Sequence, residues 1–177
     1  VMKYLFATLK LLVFACFFGG LAHSQGQEAG VHQAGTVNMQ SNDDGYGEHL
    51  GTVYFPVSCN ETAAQHAKRG LALLHHMTYE GARAAFAAAN KADPDCAMGY
   101  WGQAMSFIHP LWSDQPSDID FEKGRALLNK AKERGQKTEW ELAYIAAADA
   151  YYAMNRHGDE QTNLVNFAAA WQRVYQQ

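Results

Sequence analysis

The helical periodicity that follows Asn60 is the sequence feature that most constrains the fold. Apolar side chains recur every three or four positions through six successive segments, and short polar or proline-containing joints separate these segments. This spacing places apolar side chains along one face of an α-helix. We therefore expect an all-α chain whose successive helices form antiparallel pairs.

Capping signals mark where two of these helices begin. Thr62 and Gln65 have the spacing of a capping box at the start of the first helix, and Thr138 and Glu141 repeat it at the fifth. In a capping box each of the two side chains accepts a hydrogen bond from the backbone N–H of the other residue. We expect Thr62 and Thr138 to be the N-caps of these helices.

Other signals mark joints between helices. The pair Asp93-Pro94 ends the second helix, and Pro94 has the backbone geometry of the first position of a third. Gly135 follows the fourth helix, where a glycine commonly ends a helix. Leu142 fits the apolar pattern of the fifth helix, so we expect its side chain to be buried.

Small and large residues also repeat at fixed spacings along the chain. The spacings are twelve, four, three and five through Gly70, Ala82, Phe86, Ala89 and Pro94. They are twenty, four and three through the second set, where the loop HPLWSDQP adds about eight residues: Ala104, Gly124, Leu128 and Ala131. This is the register of a tetratricopeptide repeat, in which small residues let two helices cross closely and a large one fills the crevice. We expect about three helix pairs stacked as a tetratricopeptide-like α-solenoid.

The first 24 residues have the order of a secretory signal peptide. Lys3 and Lys10 precede the apolar run LLVFACFFGGLA, and Ala22 and Ser24 occupy the −3 and −1 positions of a cleavage site. A retained membrane anchor and a lipid on Cys16 are the alternatives. We expect cleavage after Ser24, export to the periplasm or beyond, and no membrane attachment after cleavage.

Longer stretches of the chain resemble a family of exported bacterial tetratricopeptide-repeat proteins. The similar runs are ALLHHMTYEGARAAFAAANKADPDCAMGYWGQAM, then HPLW, then GRALLNKAKERGQKTEWELAYIAAADAYY. Members of the family continue through further helix pairs, so the resemblance implies that this chain is an N-terminal fragment. The expected organisation is a signal peptide over 1–24, a flexible linker over 25–49 and the repeat domain over 50–177.

Export also changes the interpretation of the cysteines. Removal of Cys16 with the signal peptide would leave Cys59 and Cys96 in an oxidising compartment. Both precede first helices of pairs, and in a tetratricopeptide stack those helices lie side by side with neighbouring N-terminal ends. We predict a Cys59–Cys96 disulfide. The alternative is two free thiols, with Cys96 made reactive by the helix N-terminus.

The composition excludes some functions and leaves two classes open. The net charge is −4 with scattered lysine and arginine, which does not provide the basic stripe of a nucleic-acid-binding protein. The sequence contains no Cys-x-x-Cys-His, no glycine-rich phosphate loop and no Gly-x-Ser-x-Gly. We therefore expect a non-enzymatic scaffold that binds a protein or peptide partner without a cofactor. Candidate contact residues are Tyr100, His109 and Trp112.

The alternative is a periplasmic metal- or cofactor-binding module that assists an oxidoreductase. His75 and His109 end the first and third helices, which places them on the same side of a helix stack. With Asp114 or Asp118 they would offer imidazole and carboxylate ligands suited to zinc or copper. No pair of histidines has the spacing of a metal motif on one helix, so a helix-terminal hydrogen-bonding role for His75 remains the competing interpretation.

Overall fold

The computed structural model describes residues 50–111, 115–153 and 160–176, and within these ranges the fold consists of six helices. No residue within these ranges belongs to a β-strand, which confirms the all-α expectation for this part of the chain. The predicted signal peptide, its cleavage site, the 25–49 linker and Trp112 lie outside the described residues. The helices are α1 Glu61–His75, α2 Tyr79–Ala92, α3 Ala97–Met105, α4 Asp118–Glu133, α5 Glu139–Tyr152 and α6 Glu160–Tyr175.

Helices adjacent in sequence pack against each other throughout this order. In addition α1 contacts α3, and α3 contacts α5. The first helices of the three pairs therefore form a continuous series, with α2 and α4 contacting both the preceding and the following first helix. The largest fully buried side chains lie in these contacts: Trp101, Tyr152, Phe86, Leu73, Met98 and Leu128.

Phe86 lies at the centre of the first crossing. Its side chain is completely buried, and its ring is 6.2 Å from that of Trp101 in an edge-to-face arrangement. A Cβ atom added to Gly70 would lie 2.8 Å from the ring, and one added to Gly102 would clash with it more severely. The backbones of α1 and α3 thus approach the ring only because both positions lack a side chain. Seven of the other predicted repeat positions are also buried: Ala82, Ala89, Ala104, Gly124, Leu128, Ala131 and Gly70.

The predicted start of α1 is wrong. Asn60, not Thr62, is the N-cap, and its side-chain oxygen accepts the N–H of Ala63 at 2.9 Å. Asparagine is a stronger N-cap than threonine, and the helix consequently begins at Glu61. At α5 the predicted capping box of Thr138 and Glu141 is present.

The joint between α2 and α3 also differs from the prediction. Pro94 is exposed in a turn, and α3 begins at Ala97 with Cys96 as its N-cap. The Asp93 carboxylate accepts the N–H of Asp95 at 3.1 Å and that of Asn60 at 2.8 Å, so it stabilises the turn instead of capping a helix. After α4, Gly135 has a φ of +60°, as expected of a glycine just past a helix end.

Candidate partner-binding surface

A non-helical segment precedes α1 and packs across the beginnings of the helix pairs; we call residues 50–59 the strap. Phe55 anchors it and is 3% exposed. Its ring centroid lies 6.0 Å from that of Trp101 on α3 and 5.5 Å from that of Trp140 on α5. Pro56 favours an extended backbone at Phe55 because its ring disfavours the helical conformation of the preceding residue. The strap therefore places one aromatic side chain between two helix pairs.

A buried carboxylate holds the end of the strap. Glu141 on α5 is 1% exposed. Its oxygens accept hydrogen bonds from the N–H and hydroxyl of Ser58, at 2.8 and 2.7 Å. They also accept the N–H and hydroxyl of Thr138, at 2.8 and 3.0 Å. Four donors thus compensate the burial of this carboxylate, which serves at once as a capping-box residue and as the receptor for the strap.

A disulfide attaches the strap to α3. Cys59 and Cys96 are bonded, with their Cα atoms 5.0 Å apart, which lies within the normal range for a disulfide. The predicted pairing is therefore confirmed. The next residue, Asn60, donates its side-chain N–H to the carbonyl of Ala92 at 2.9 Å. The disulfide and Glu141 thus attach the strap to the beginnings of α3 and α5, and Asn60, which follows the strap, bonds to the end of α2.

Aromatic contacts continue from the strap to α6. The Tyr144 ring is 5.7 Å from Trp101, 5.1 Å from Trp140 and 5.0 Å from Trp171. The planes of both Trp140 and Trp171 are close to perpendicular to that of Tyr144. The indole N–H of Trp101 donates to the carbonyl of Tyr144 at 3.2 Å. Tyr144 therefore links the buried aromatic core to the surface of the third pair.

The aromatic row ends in an open depression between α5 and α6, which we call the α5–α6 cleft. Its volume is about 690 Å³. Tyr175, at its edge, is 92% exposed. The described lining contains one carboxylate and no basic side chain; its residues are Thr138, Glu139, Trp140, Ala143, Tyr144, Trp171, Val174 and Tyr175. Aromatic rings and an acid make this a surface suited to apolar side chains and a flanking cation.

The sequence carries a signal for this cleft that the periodicity of each helix alone does not give. Trp140 and Tyr144 are four residues apart on α5, and Trp171 and Tyr175 repeat this spacing on α6. Residues four apart lie on one face of a helix. Two identical Trp-x3-Tyr pairs on consecutive helices indicate a shared aromatic surface only when the two helices are considered together.

The predicted contact residues lie elsewhere. Tyr100 is half-buried, donates its hydroxyl to the carbonyl of Pro94 at 3.2 Å, and has the ammonium of Lys130 5.9 Å from its ring centroid. The His109 ring stacks on that of Tyr79 at 4.0 Å. Neither Tyr100 nor His109 lines the α5–α6 cleft, and Trp112 lies outside the described residues.

The proposed histidine ligands are not part of a larger ligand cluster within the described residues. His75 is exposed at the end of α1, and His109 stacks on Tyr79. No group of three or more His, Cys, Asp or Glu side chains able to hold a metal occurs in the described ranges. Asp114, one of the candidate ligands, lies outside those ranges.

Two shifted ionisable groups have structural partners. Burial raises the pKa of the Tyr152 hydroxyl well above its ordinary value, and this hydroxyl donates to the carbonyl of Ala104 at 2.6 Å. The hydroxyl therefore stays protonated and joins α5 to α3. The hydrogen bond from Ser117, followed by that from Lys123, lowers the pKa of Asp120 below 3.8 at the start of α4. Neither group lines the cleft.

Comparison with known proteins gives no relative: no family model, curated protein or solved structure matches this chain. Among the described helices, none combines the length and apolar character needed to cross a membrane.

Proposed function

We propose that this chain is an exported, non-enzymatic scaffold that binds a protein or peptide partner, and that the α5–α6 cleft is its binding surface. The observation that carries the proposal is the exposed aromatic lining, with Tyr175 92% exposed beside Trp140, Tyr144 and Trp171. Tyrosine and tryptophan are enriched at protein interfaces and dominate their binding energy. Contact with a partner would remove these aromatic side chains from water, which favours binding.

The order of helix contacts supports a tetratricopeptide-like stack as the scaffold. First helices contact first helices along the series α1, α3 and α5, and each pair contacts the next. The glycines around Phe86 supply the close crossing that such a repeat requires. Stacked pairs of this kind present extended surfaces for partners, and the last pair of the described series carries the cleft.

The disulfide supports export. Cys59 and Cys96 are bonded in the structure, and disulfides of this kind form and persist in oxidising compartments. A periplasmic or extracellular location would therefore keep the strap attached.

The proposal is tested with a phage-displayed library of random 12-residue peptides, selected against the intact exported protein. Affinities of the enriched peptides are then measured by fluorescence anisotropy for the wild type and for Tyr175→Ala. We expect enrichment, and at least a ten-fold weaker affinity in the variant, because the exposed Tyr175 contributes contact area to the partner and little to folding.

Leu142→Ala is the matched control. Leu142 is 50% exposed on α5 and does not line the cleft. Its truncation therefore removes an exposed apolar side chain from a position outside the proposed binding surface. Its affinity is expected to match that of the wild type. A library without enrichment, or peptides whose affinities are unchanged by Tyr175→Ala, would contradict the proposal.

A further inference from the structure

Four aromatic rings form a closed set of contacts between the strap and the α5–α6 cleft, and we call them the four-ring cluster. The ring centroid of Phe55 lies 6.0 Å from that of Trp101 and 5.5 Å from that of Trp140. The ring centroid of Tyr144 lies 5.7 Å from that of Trp101 and 5.1 Å from that of Trp140. Each ring therefore contacts two others, and a change in the orientation of one alters the contacts of its neighbours.

The four-ring cluster has a buried half and an open half. Phe55 and Trp101 are 3% and 2% exposed, and neither lines the cleft. Trp140 and Tyr144 are half-buried, and both line it. A molecule bound in the cleft would therefore touch Trp140 and Tyr144, while Phe55 and Trp101 support these two rings from the interior.

Trp140 is the open ring that depends most on the strap. Tyr144 has further support, because its carbonyl accepts the indole N–H of Trp101 at 3.2 Å and its ring contacts that of Trp171 at 5.0 Å. Among the described aromatic side chains, Trp140 contacts only Phe55 and Tyr144. Loss of the Phe55 ring would thus leave Trp140 with one aromatic neighbour.

The strap is also bonded to the turn of α5 that carries Trp140. The next residue, Glu141, accepts the N–H and hydroxyl of Ser58 at 2.8 and 2.7 Å. The same carboxylate accepts the N–H of Thr138, which lines the cleft. The strap therefore contacts two consecutive residues in the first turn of α5, and this turn forms part of the cleft wall.

We infer that the strap positions the wall of the α5–α6 cleft, and that Phe55 is a positioning residue that acts through Trp140. A ring held in its binding orientation before a partner arrives loses less conformational freedom on binding, so its contact contributes more to the affinity. This inference rests on the proposed function and deepens it, because it names a residue outside the cleft that sets the affinity of the cleft.

Phe55→Leu tests the inference, because leucine keeps an apolar side chain under Trp140 but removes the ring that contacts it. The probe is a peptide enriched from the random library against the intact protein, chosen because its affinity depends on Tyr175. Fluorescence anisotropy should show about ten-fold weaker binding to Phe55→Leu, since Trp140 then has to be ordered when the peptide binds. Phe55→Met, which fills the site with a more adaptable side chain, is measured in parallel and should also bind more weakly than the wild type.

Phe121→Leu is the matched control. It is the same substitution at nearly the same burial, since Phe121 on α4 is 4% exposed. Its ring contacts those of Tyr151 and Tyr152, and neither of these lines the cleft. Phe121→Leu should therefore keep the wild-type affinity for the peptide at a temperature where circular dichroism shows all variants to be folded.

A double-mutant cycle distinguishes positioning from a general loss of stability. Trp140→Leu removes the ring through which Phe55 is inferred to act and keeps an apolar side chain in the cleft. In this background, Phe55→Leu should change the affinity by no more than about two-fold, because the two substitutions remove one shared contact. A general structural effect of Phe55 would instead give the same loss in both backgrounds.

The outcomes separate this inference from the proposed function. The inference is overturned, and the proposed function stands, if the peptide binds Phe55→Leu and Phe55→Met as tightly as the wild type. The same follows if Phe121→Leu weakens binding equally, or if the losses from Phe55→Leu and Trp140→Leu add. If the random library yields no enriched peptide, the proposed function is overturned and this inference with it.

Discussion

At the residue scale, the packing around Phe86 is the contact that most directly ties the sequence to the fold. The ring is completely buried between two glycines. Phe86→Ala is expected to lower the free energy of unfolding by about 3–5 kcal/mol, because it leaves a cavity that the surrounding helices cannot fill. Urea unfolding followed by circular dichroism measures the change. Ile119→Ala, at a position 69% exposed, is the control and should stay within about 0.5 kcal/mol of the wild type. Equal stabilities of the two variants would contradict this packing.

Glu141 is the second residue whose role can be measured alone. Glu141→Gln keeps the shape of the side chain but replaces one accepting oxygen with an N–H₂ group that faces donors from Ser58 or Thr138. We expect a loss of about 1–3 kcal/mol in the free energy of unfolding, since buried donors lose their acceptor. Glu139→Gln, at an exposed position two residues away, should have little effect. A Glu141→Gln variant as stable as the Glu139→Gln control would show that the strap is not held by this carboxylate.

Asp120 gives a pH-dependent prediction. Its pKa is lowered below 3.8, chiefly by the hydrogen bond from Ser117. Because the folded pKa is the lower one, the stabilisation is complete above the ordinary aspartate pKa and is lost as the pH falls through the folded value. NMR titration of the Asp120 carboxyl should give a midpoint below that of Ser117→Ala. Identical midpoints would exclude this hydrogen bond as the cause.

The structural role of a residue can be predicted from the sequence where a short-range pattern determines it. The Thr138–Glu141 capping box and the Gly135 turn follow from short-range patterns, and both are present. Leu142 was expected to be buried and is 50% exposed, because the pattern alone does not say which face of α5 its neighbours cover. The second role of Glu141, as acceptor for Ser58, depends on residues 83 positions apart and has no local signal.

At the scale of elements, the strap is the part of the chain that the sequence identifies least completely. The helical periodicity begins only after Asn60, which leaves this segment outside the predicted helices, and the cysteine pair predicts where it is attached. The burial of Phe55 between α3 and α5 could not be predicted, because it requires the positions of two helices that are distant in sequence. The helices themselves were predicted in order, and the errors are confined to the ends of α1 and α3, where competing caps decide the boundary.

Removal of the disulfide tests how much the attachment of the strap contributes to the stability of the fold. The bond joins residues separated by 37 positions, for which the chain-entropy model gives a stabilisation of about 4 kcal/mol. Cys59→Ser with Cys96→Ser should therefore lower the free energy of unfolding by up to about 4 kcal/mol. Thiol labelling of the unfolded, unreduced protein after signal cleavage should find no reactive cysteine. Two labelled cysteines per chain would contradict the bond.

Phe55→Ala tests whether packing of the Phe55 side chain also attaches the strap to the helices. We expect a loss of about 3–5 kcal/mol, as for other buried aromatic side chains. Tyr54→Ala is the matched control, because the neighbouring ring is 89% exposed and should contribute little. Equal unfolding midpoints for the two variants would show that Phe55 is not packed between Trp101 and Trp140.

At the scale of the whole molecule, the series of helix contacts and the open cleft together make the functional claim. The periodicity predicts the number and order of the helices, and the small-large register predicts the close crossing at Phe86. The cleft is a property of how α5 and α6 lie side by side, so neither helix predicts it alone. For that reason the sequence directed attention to Tyr100, His109 and Trp112, and the structure directs it to Trp140, Tyr144, Trp171 and Tyr175.

Hydrogen exchange measured by mass spectrometry, with and without a selected peptide, tests this claim most directly. Binding at the cleft should slow exchange in the segments 138–144 and 171–175, which carry its lining, and should leave α1 and α2 unchanged. The Tyr175→Ala variant should lose this protection at the same peptide concentration, and Leu142→Ala should keep it. Protection confined to α1 and α2, or to the segments around Tyr100 and His109, with the cleft unchanged, would contradict the account.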